Sequence, residues 1–248
     1  MIYIWVRATV DWADERAFRA QLRPRFKPKV DVWNQTFSIP YHRFRHRVRE
    51  IARLNHTRVE GAAIAPWREI PDGALVLSVD DDDWFAPDVG AVLEGEARDG
   101  AAGYRWPSSF FEVPINRAHG LGLVRRRLFP GTRPRFVCTT NNYALFKRPG
   151  IWSMFDSHVL ASRWVEAHPR GRLRSIERRL SAMNRTLASQ TSLALGKPTV
   201  TRAECLHKLR RYRALYRAPI APELEWSRPY LAMMAELMDE LEVLPSRR

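Results

Sequence analysis

The chain opens on an uninterrupted apolar run, Ile2-Tyr3-Ile4-Trp5-Val6, with Arg7 directly behind it and Asp11 beyond. A short run of this kind predicts a strand buried on both faces, here over residues 2–9. Ala17, Phe18 and Leu22 share one side of a helix predicted over residues 14–23, which Pro24 stops. Residues 24–39, rich in Pro, Lys and Arg, have no period and predict an irregular loop. Phe44, Val48 and Ile51 recur at spacings of four and three and predict a helix over 40–54. The other face of that helix carries Arg43, Arg45, His46, Arg47 and Arg49.

Pro71-Asp72-Gly73 is a turn signal, and the apolar run over 74–79 reads as another buried strand. Pro87 and Asp88 open a helix that runs to about residue 98 and ends at Asp99-Gly100. Strands are predicted over 102–106 and 110–113, a long basic loop over 114–135, and one or two strands over 136–146. From residue 157 onward the strand signals vanish. Helices are predicted over 157–167, 174–189, 202–217 and 223–243, with prolines between them. Alternating strands and helices followed by helices alone predict an α/β fold. Its open mixed sheet, flanked by helices, would occupy residues 1–156, and a helical C-terminal extension would pack on it over 157–248.

Composition changes the picture in three ways. With 248 residues, 45% of them hydrophobic and nine Trp, the chain can bury a substantial core. Forty-one Lys and Arg against 27 Asp and Glu leave a net charge of +14. That excess suits a polyanionic partner, nucleic acid or an anionic membrane surface, or else merely solvates the surface. Only Cys138 and Cys205 are present, which excludes a disulfide framework and a cysteine-based zinc site. No stretch reaches the roughly 18 apolar residues of a membrane span, and the N-terminal run is too short for a signal peptide. The expectation is a soluble, cytoplasmic protein.

The candidate chemistry is concentrated in Leu75-Val76-Leu77-Ser78-Val79-Asp80-Asp81-Asp82-Asp83-Trp84-Phe85. Four adjacent carboxylates repel one another, and folding has no use for them at the end of a buried strand. A hard divalent cation, Mn²⁺ or Mg²⁺, would neutralise them and could retain open positions for substrate phosphates. The alternative is an acidic turn ahead of the following helix.

An apolar strand, then Asp-x-Asp-Asp, then an aromatic and x-Pro, resembles the DXD segment of GT-A-fold, nucleotide-sugar-dependent glycosyltransferases of the large inverting family. The segment Thr140-Asn141-Asn142-Tyr143-Ala144-Leu145-Phe146-Lys147-Arg148 also looks like the strand that follows their acceptor region. The resemblance covers roughly residues 74–160; the family's nucleotide-base loop after the first strand is not recognisable. It implies a GT-A-like sheet, with Asp80, Asp81 and Asp83 at the nucleotide-sugar donor and Asp82 on the metal. It further implies His158 as a second metal ligand and Asp156 as the base that deprotonates an acceptor hydroxyl. Asp156 reads equally as the N-cap of the 157–167 helix, and His158 as a structural histidine. Glu112 is a weaker candidate for the base.

Trp106, Asn141 and Asn142 are candidates for acceptor binding, by stacking and by amide hydrogen bonds. Core packing and a tight turn are the competing readings. Arg125, Arg126 and Arg127, with Arg210, Arg211 and Arg213, form the candidate polyanion-binding surface. Nucleic acid is favoured over anionic lipid because no apolar face of the interfacial type accompanies these charges, and hydroxymethylated DNA would offer a hydroxyl acceptor. Two other classes compete: a nucleic-acid-binding module with a structural ion, and a metal-dependent phosphoryl-transfer enzyme. The second needs further acidic ligands, and residues 100–150 offer only Glu112. A cell-surface glycan is the alternative acceptor.

Overall fold

The computed structural model describes residues 1–7, 37, 41–96, 100–107, 109–112, 123–124, 138–139, 141–151, 154–155, 158–167, 173–185 and 201–244. The chain divides into two compact units. The first comprises Met1–Arg7, Arg53–Phe110 and Arg125–Met183; the second comprises Ala8–Ala52, Phe111–Val124 and Asn184–Arg248.

In chain order the elements are β1 (Ile2–Arg7), α1 (Tyr41–His56), β2 (Ala62–Ile64), β3 (Leu75–Asp80), β4 (Trp84–Phe85), α2 (Val89–Gly95), β5 (Gly103–Arg105), β6 (Phe110–Glu112) and β7 (Leu123–Val124). They continue with β8 (Tyr143–Phe146), α3 (His158–Ala167), β9 (Leu173–Ser175), β10 (Ser181–Arg185), α4 (Arg202–Arg217) and α5 (Arg228–Val243). The fold is therefore mixed α/β.

The first unit is organised by a six-stranded sheet in the order β2-β1-β3-β8-β5-β9. β1 is parallel to both β2 and β3, and β5 is parallel to β9, whereas β8 runs antiparallel to both β3 and β5. Strict period-two alternation builds a core on each face. Ile2, Ile4, Leu75, Leu77, Val79 and Ala144 pack with Val89 and Leu93 of α2 on one side. Val76, Tyr143 and Leu145 pack with Ile151, Phe155 and Ala161 on the other. Burial on both faces is why β1 and β3 read as continuous apolar runs rather than alternating ones. At Gly103 a Cβ would overlap the Ala144 carbonyl oxygen, so only glycine lets β5 lie this close to β8.

The helix expected over 174–189 is not formed over its described residues, 174–185. Leu173, Ile176, Leu180 and Met183 do recur at helical spacing, but residues 173–175 extend the β5 edge. Ser181 and Ala182 pair with Phe85 and Trp84 of β4. Hydrogen-bonding edges offered by distant segments outweigh a local period over so short a stretch. The helices expected over 14–23 and the basic loop over 114–135 lie outside the described residues, apart from β7.

In the second unit α4 and α5 pack together. Cys205, Leu209, Tyr212 and Tyr216 form the buried stripe of α4, and Tyr230, Met234, Leu237, Met238 and Leu241 that of α5. A capping box at Thr201 and Glu204 starts α4, the two residues satisfying each other's exposed backbone donors. Among the described residues no helix is long and apolar enough to cross a membrane.

Candidate functional site

β1 is flanked by β2 on one side and β3 on the other, so the chain leaves β1 toward one side of the sheet and then crosses to lay down β3 on the other. Such a reversal opens a crevice at the carboxyl ends of the two diverging strands, where open α/β sheets bind ligands. Here those ends are Arg7 and Asp80. They are register partners across the parallel pair, and Arg7 Nη2 lies 2.8 Å from Asp80 Oδ1. Arg7 Nη1 donates to the Phe155 carbonyl at 3.0 Å. The Asp81 N–H extends the ladder by bonding the Arg7 carbonyl, and the Asp83 N–H closes a turn onto the Asp80 carbonyl.

The carboxylates after Asp80 are turned into the protein: Asp81, Asp82 and Asp83 are all buried. Asp80 keeps 36% of its side-chain surface, so solvent reaches one side of a group otherwise closely surrounded. Burial pushes its carboxyl up to about 6. The charges of Asp82 and Asp81 push the same way, and Arg7 opposes them. Acidic side chains set this close to one another are a receptive set for a cation.

The turn is held from behind by the end of α1, which the sequence did not mark. Buried Asn55 grips the backbone of Phe85 twice: its Nδ2 donates to the Phe85 carbonyl at 2.9 Å, and its Oδ1 accepts from the Phe85 N–H at 2.8 Å. His56 Nε2 lies 3.0 Å from the Asp83 carbonyl. A carbonyl only accepts, so the neutral ring carries its proton on Nε2. Burial holds the His56 pKa down at about 4. The only available signal was the polar pair Asn55-His56 at the end of an amphipathic helix.

The antiparallel register between β3 and β8, in which Leu75 faces Phe146 and Leu77 faces Ala144, brings the start of β8 level with the end of β3. Asn141 and Asn142 are thereby carried to the same sheet edge as Asp80. Asn142 braces the local turn, donating to the Trp106 carbonyl at 2.9 Å and accepting from the Thr139 N–H at 2.6 Å. Asn141 Oδ1 accepts from Ser181 Oγ at 3.3 Å, and Ser181 Oγ accepts from Trp106 Nε1 at 2.7 Å. Asn141 Nδ2 is buried without a hydrogen-bond partner among the described residues. The Trp106 ring belongs to the core beside Tyr104 and Val79.

His158 starts α3, half-buried, and both its burial and the charge of Arg7 lower its proton affinity. A histidine that stays neutral at neutral pH is competent to ligate a metal. Asp156 and Arg125, Arg126 and Arg127 lie outside the described residues, as does the side chain of Glu112. In the second unit Arg210 pairs with Glu242 at 2.7 Å, and Arg213 with Asp239 at 3.0 Å and Glu242 at 2.8 Å. Arg217 also pairs with Asp239, so acids of α5 neutralise much of the basic stripe of α4, while Arg211 is half-exposed. Cys138 and Cys205 are buried and form no disulfide.

Among the described residues no three His, Cys, Asp or Glu side chains converge as a metal-holding group. A Mg²⁺-type cation needs no such cage: it is commonly held by one or two carboxylates together with substrate phosphates. Asp80 and Asp82 would be the carboxylates of such a set. Comparison with family models, curated proteins and solved structures returns no match for this chain.

Proposed function

We propose that this chain is a metal-dependent glycosyltransferase that takes a sugar from a nucleotide-sugar donor and passes it to a hydroxyl acceptor. One observation carries the reading. An Asp-x-Asp-Asp run ends β3 at the point where the sheet reverses its strand order, with Asp80 held up near 6 by burial and by Asp82 and Asp81. The mixed sheet with its flanking helices is compatible with the GT-A-like expectation, and Trp84, Phe85 and the Asn55 clamp keep the acidic turn rigid from behind.

A Mn²⁺ or Mg²⁺ ion bound at Asp82 and Asp80 would supply the Lewis acid that offsets charge on the departing diphosphate. The chain's own residues do the remainder. Arg7 adds a permanent positive charge at the crevice, and Asn141 offers a buried amide donor at the same edge. Asp156 remains the proposed base for the acceptor hydroxyl, and an inverting outcome follows from a base acting opposite the leaving group.

The test is a thermal-shift series of nucleotide sugars with and without Mn²⁺, since a ligand of the native state raises its apparent stability. A Tm increase for one donor that requires Mn²⁺, followed by slow release of the nucleoside diphosphate, is the expected result. No metal-dependent shift and no donor cleavage across uridine, guanosine, thymidine and cytidine diphosphosugars would overturn the reading.

A further inference from the structure

We propose that Arg7 is a two-position residue: it holds Asp80 in the metal-free protein and pairs with the donor's phosphate once a divalent cation has taken over the carboxylate. The inference rests on the glycosyltransferase reading above and assigns that site its anion-binding side chain.

Two observations carry it. Arg7 and Asp80 are register partners at the ends of the two strands that open the crevice, so the backbone itself sets them side by side. The guanidinium divides its donors between Asp80 Oδ1 at 2.8 Å and the Phe155 carbonyl at 3.0 Å. Arg7 is thus the cation that the fold sets against the first carboxylate of the acidic run.

A guanidinium and a divalent cation compete for the same carboxylate lone pairs, and their like charges repel. Arg7 cannot be discharged, since its proton is never lost in a protein. Relief has to come from movement or from an arriving anion. A phosphate oxygen is the anion that the planar fork of donors recognises best. The bond to the Phe155 carbonyl leaves the side chain anchored while its other nitrogen changes partner. The buried Asn141 amide, which lacks a partner among the described residues at the same sheet edge, is a second donor for that ligand.

The two functions predict opposite signs in one variant. In Arg7→Gln, Mn²⁺ alone, counted by electron paramagnetic resonance, should bind roughly three- to tenfold more tightly because a fixed like charge is gone. Binding of UDP, GDP or dTDP in saturating Mn²⁺ should weaken about tenfold or more in the same variant. A residue that merely held the fold together would weaken both. Arg7→Lys keeps the charge without the fork, so its Mn²⁺ affinity should stay near wild type while nucleoside diphosphate affinity falls. Unchanged or weaker Mn²⁺ binding in Arg7→Gln overturns the proposal. Should that variant not fold, wild-type nucleoside diphosphate affinity in Arg7→Lys overturns it instead. A wild-type protein that takes up neither Mn²⁺ nor a nucleoside diphosphate overturns the glycosyltransferase reading along with it. A wild-type protein that binds both, with variants that behave identically, overturns the Arg7 role alone.

Discussion

His56 donates its Nε2 proton to the main-chain carbonyl of Asp83 at 3.0 Å from inside the core. The bond ties the acidic turn to a ring that resists charging: His56 takes a proton only near pH 4, against 6.5 ordinarily. Between those values the unfolded chain binds the proton and the folded chain does not. Stability is therefore fully present above about pH 6.5 and is lost as pH falls toward 4. Asp80 works in the other direction. Its pKa is raised from 3.8 to about 6, so its contribution declines as pH rises through that window. Solvent on the exposed side of Asp80 screens its effect, so the buried histidine should dominate. Urea midpoints measured from pH 4 to 7 should rise with pH. His56→Gln, which retains a donor for Asp83, should flatten or reverse that slope; a slope unchanged from wild type would refute the assignment.

Asn55→Leu removes both bonds to the Phe85 backbone and strands a buried N–H and a buried carbonyl. Each uncompensated group costs about 1–3 kcal/mol, so a loss of about 2–6 kcal/mol is expected. Chemical denaturation measures it. A loss below about 1 kcal/mol would mean that water replaces the clamp.

Gly103→Ala places a methyl group against the Ala144 carbonyl oxygen and the Leu145 backbone, at the first residue of the β8-β5 pairing. Backbone cannot step aside as a flexible side chain can, so the sheet must part locally. The expected cost is about 2 kcal/mol or more, read as a fall in the denaturation midpoint. Tolerance of alanine would show that β5 can shift along its neighbour.

Asp82→Ala should leave thermal stability unchanged or slightly raised, because it removes one of the charges that push Asp80 upward. Metal-dependent nucleoside diphosphate binding should weaken by more than about tenfold, which is 1.4 kcal/mol. Calorimetry separates the two effects, and undiminished binding would remove Asp82 from the metal.

Arg210 and Arg213 face Glu242 and Asp239 of α5, partners the charge count could not reveal. Exposed ion pairs of this kind contribute about 1 kcal/mol or less. Replacing Arg210, Arg211 and Arg213 with Gln should therefore lower stability modestly. It should change the salt dependence of binding to fluorescent duplex DNA by less than about one phosphate contact per arginine removed. A larger change would show that DNA draws these arginines away from α5.

What the sequence determined by itself was local. The buried strands β1 and β3, the helices α1, α3 and α4, and the acidic run at the end of β3 follow from apolar periodicity, capping residues and adjacent like charge, all readable along the chain. Only the tertiary structure decided which distant segments complete the site. Arg7 stands beside Asp80 because two strands more than seventy positions apart pair in parallel. Asn55 and His56 grip the turn because α1 ends against it, and residues 173–175 and 181–185 become strands because β5 and β4 offer them open edges. Hydrogen-bond partners and shared burial depend on distance in space, which no period along the chain encodes.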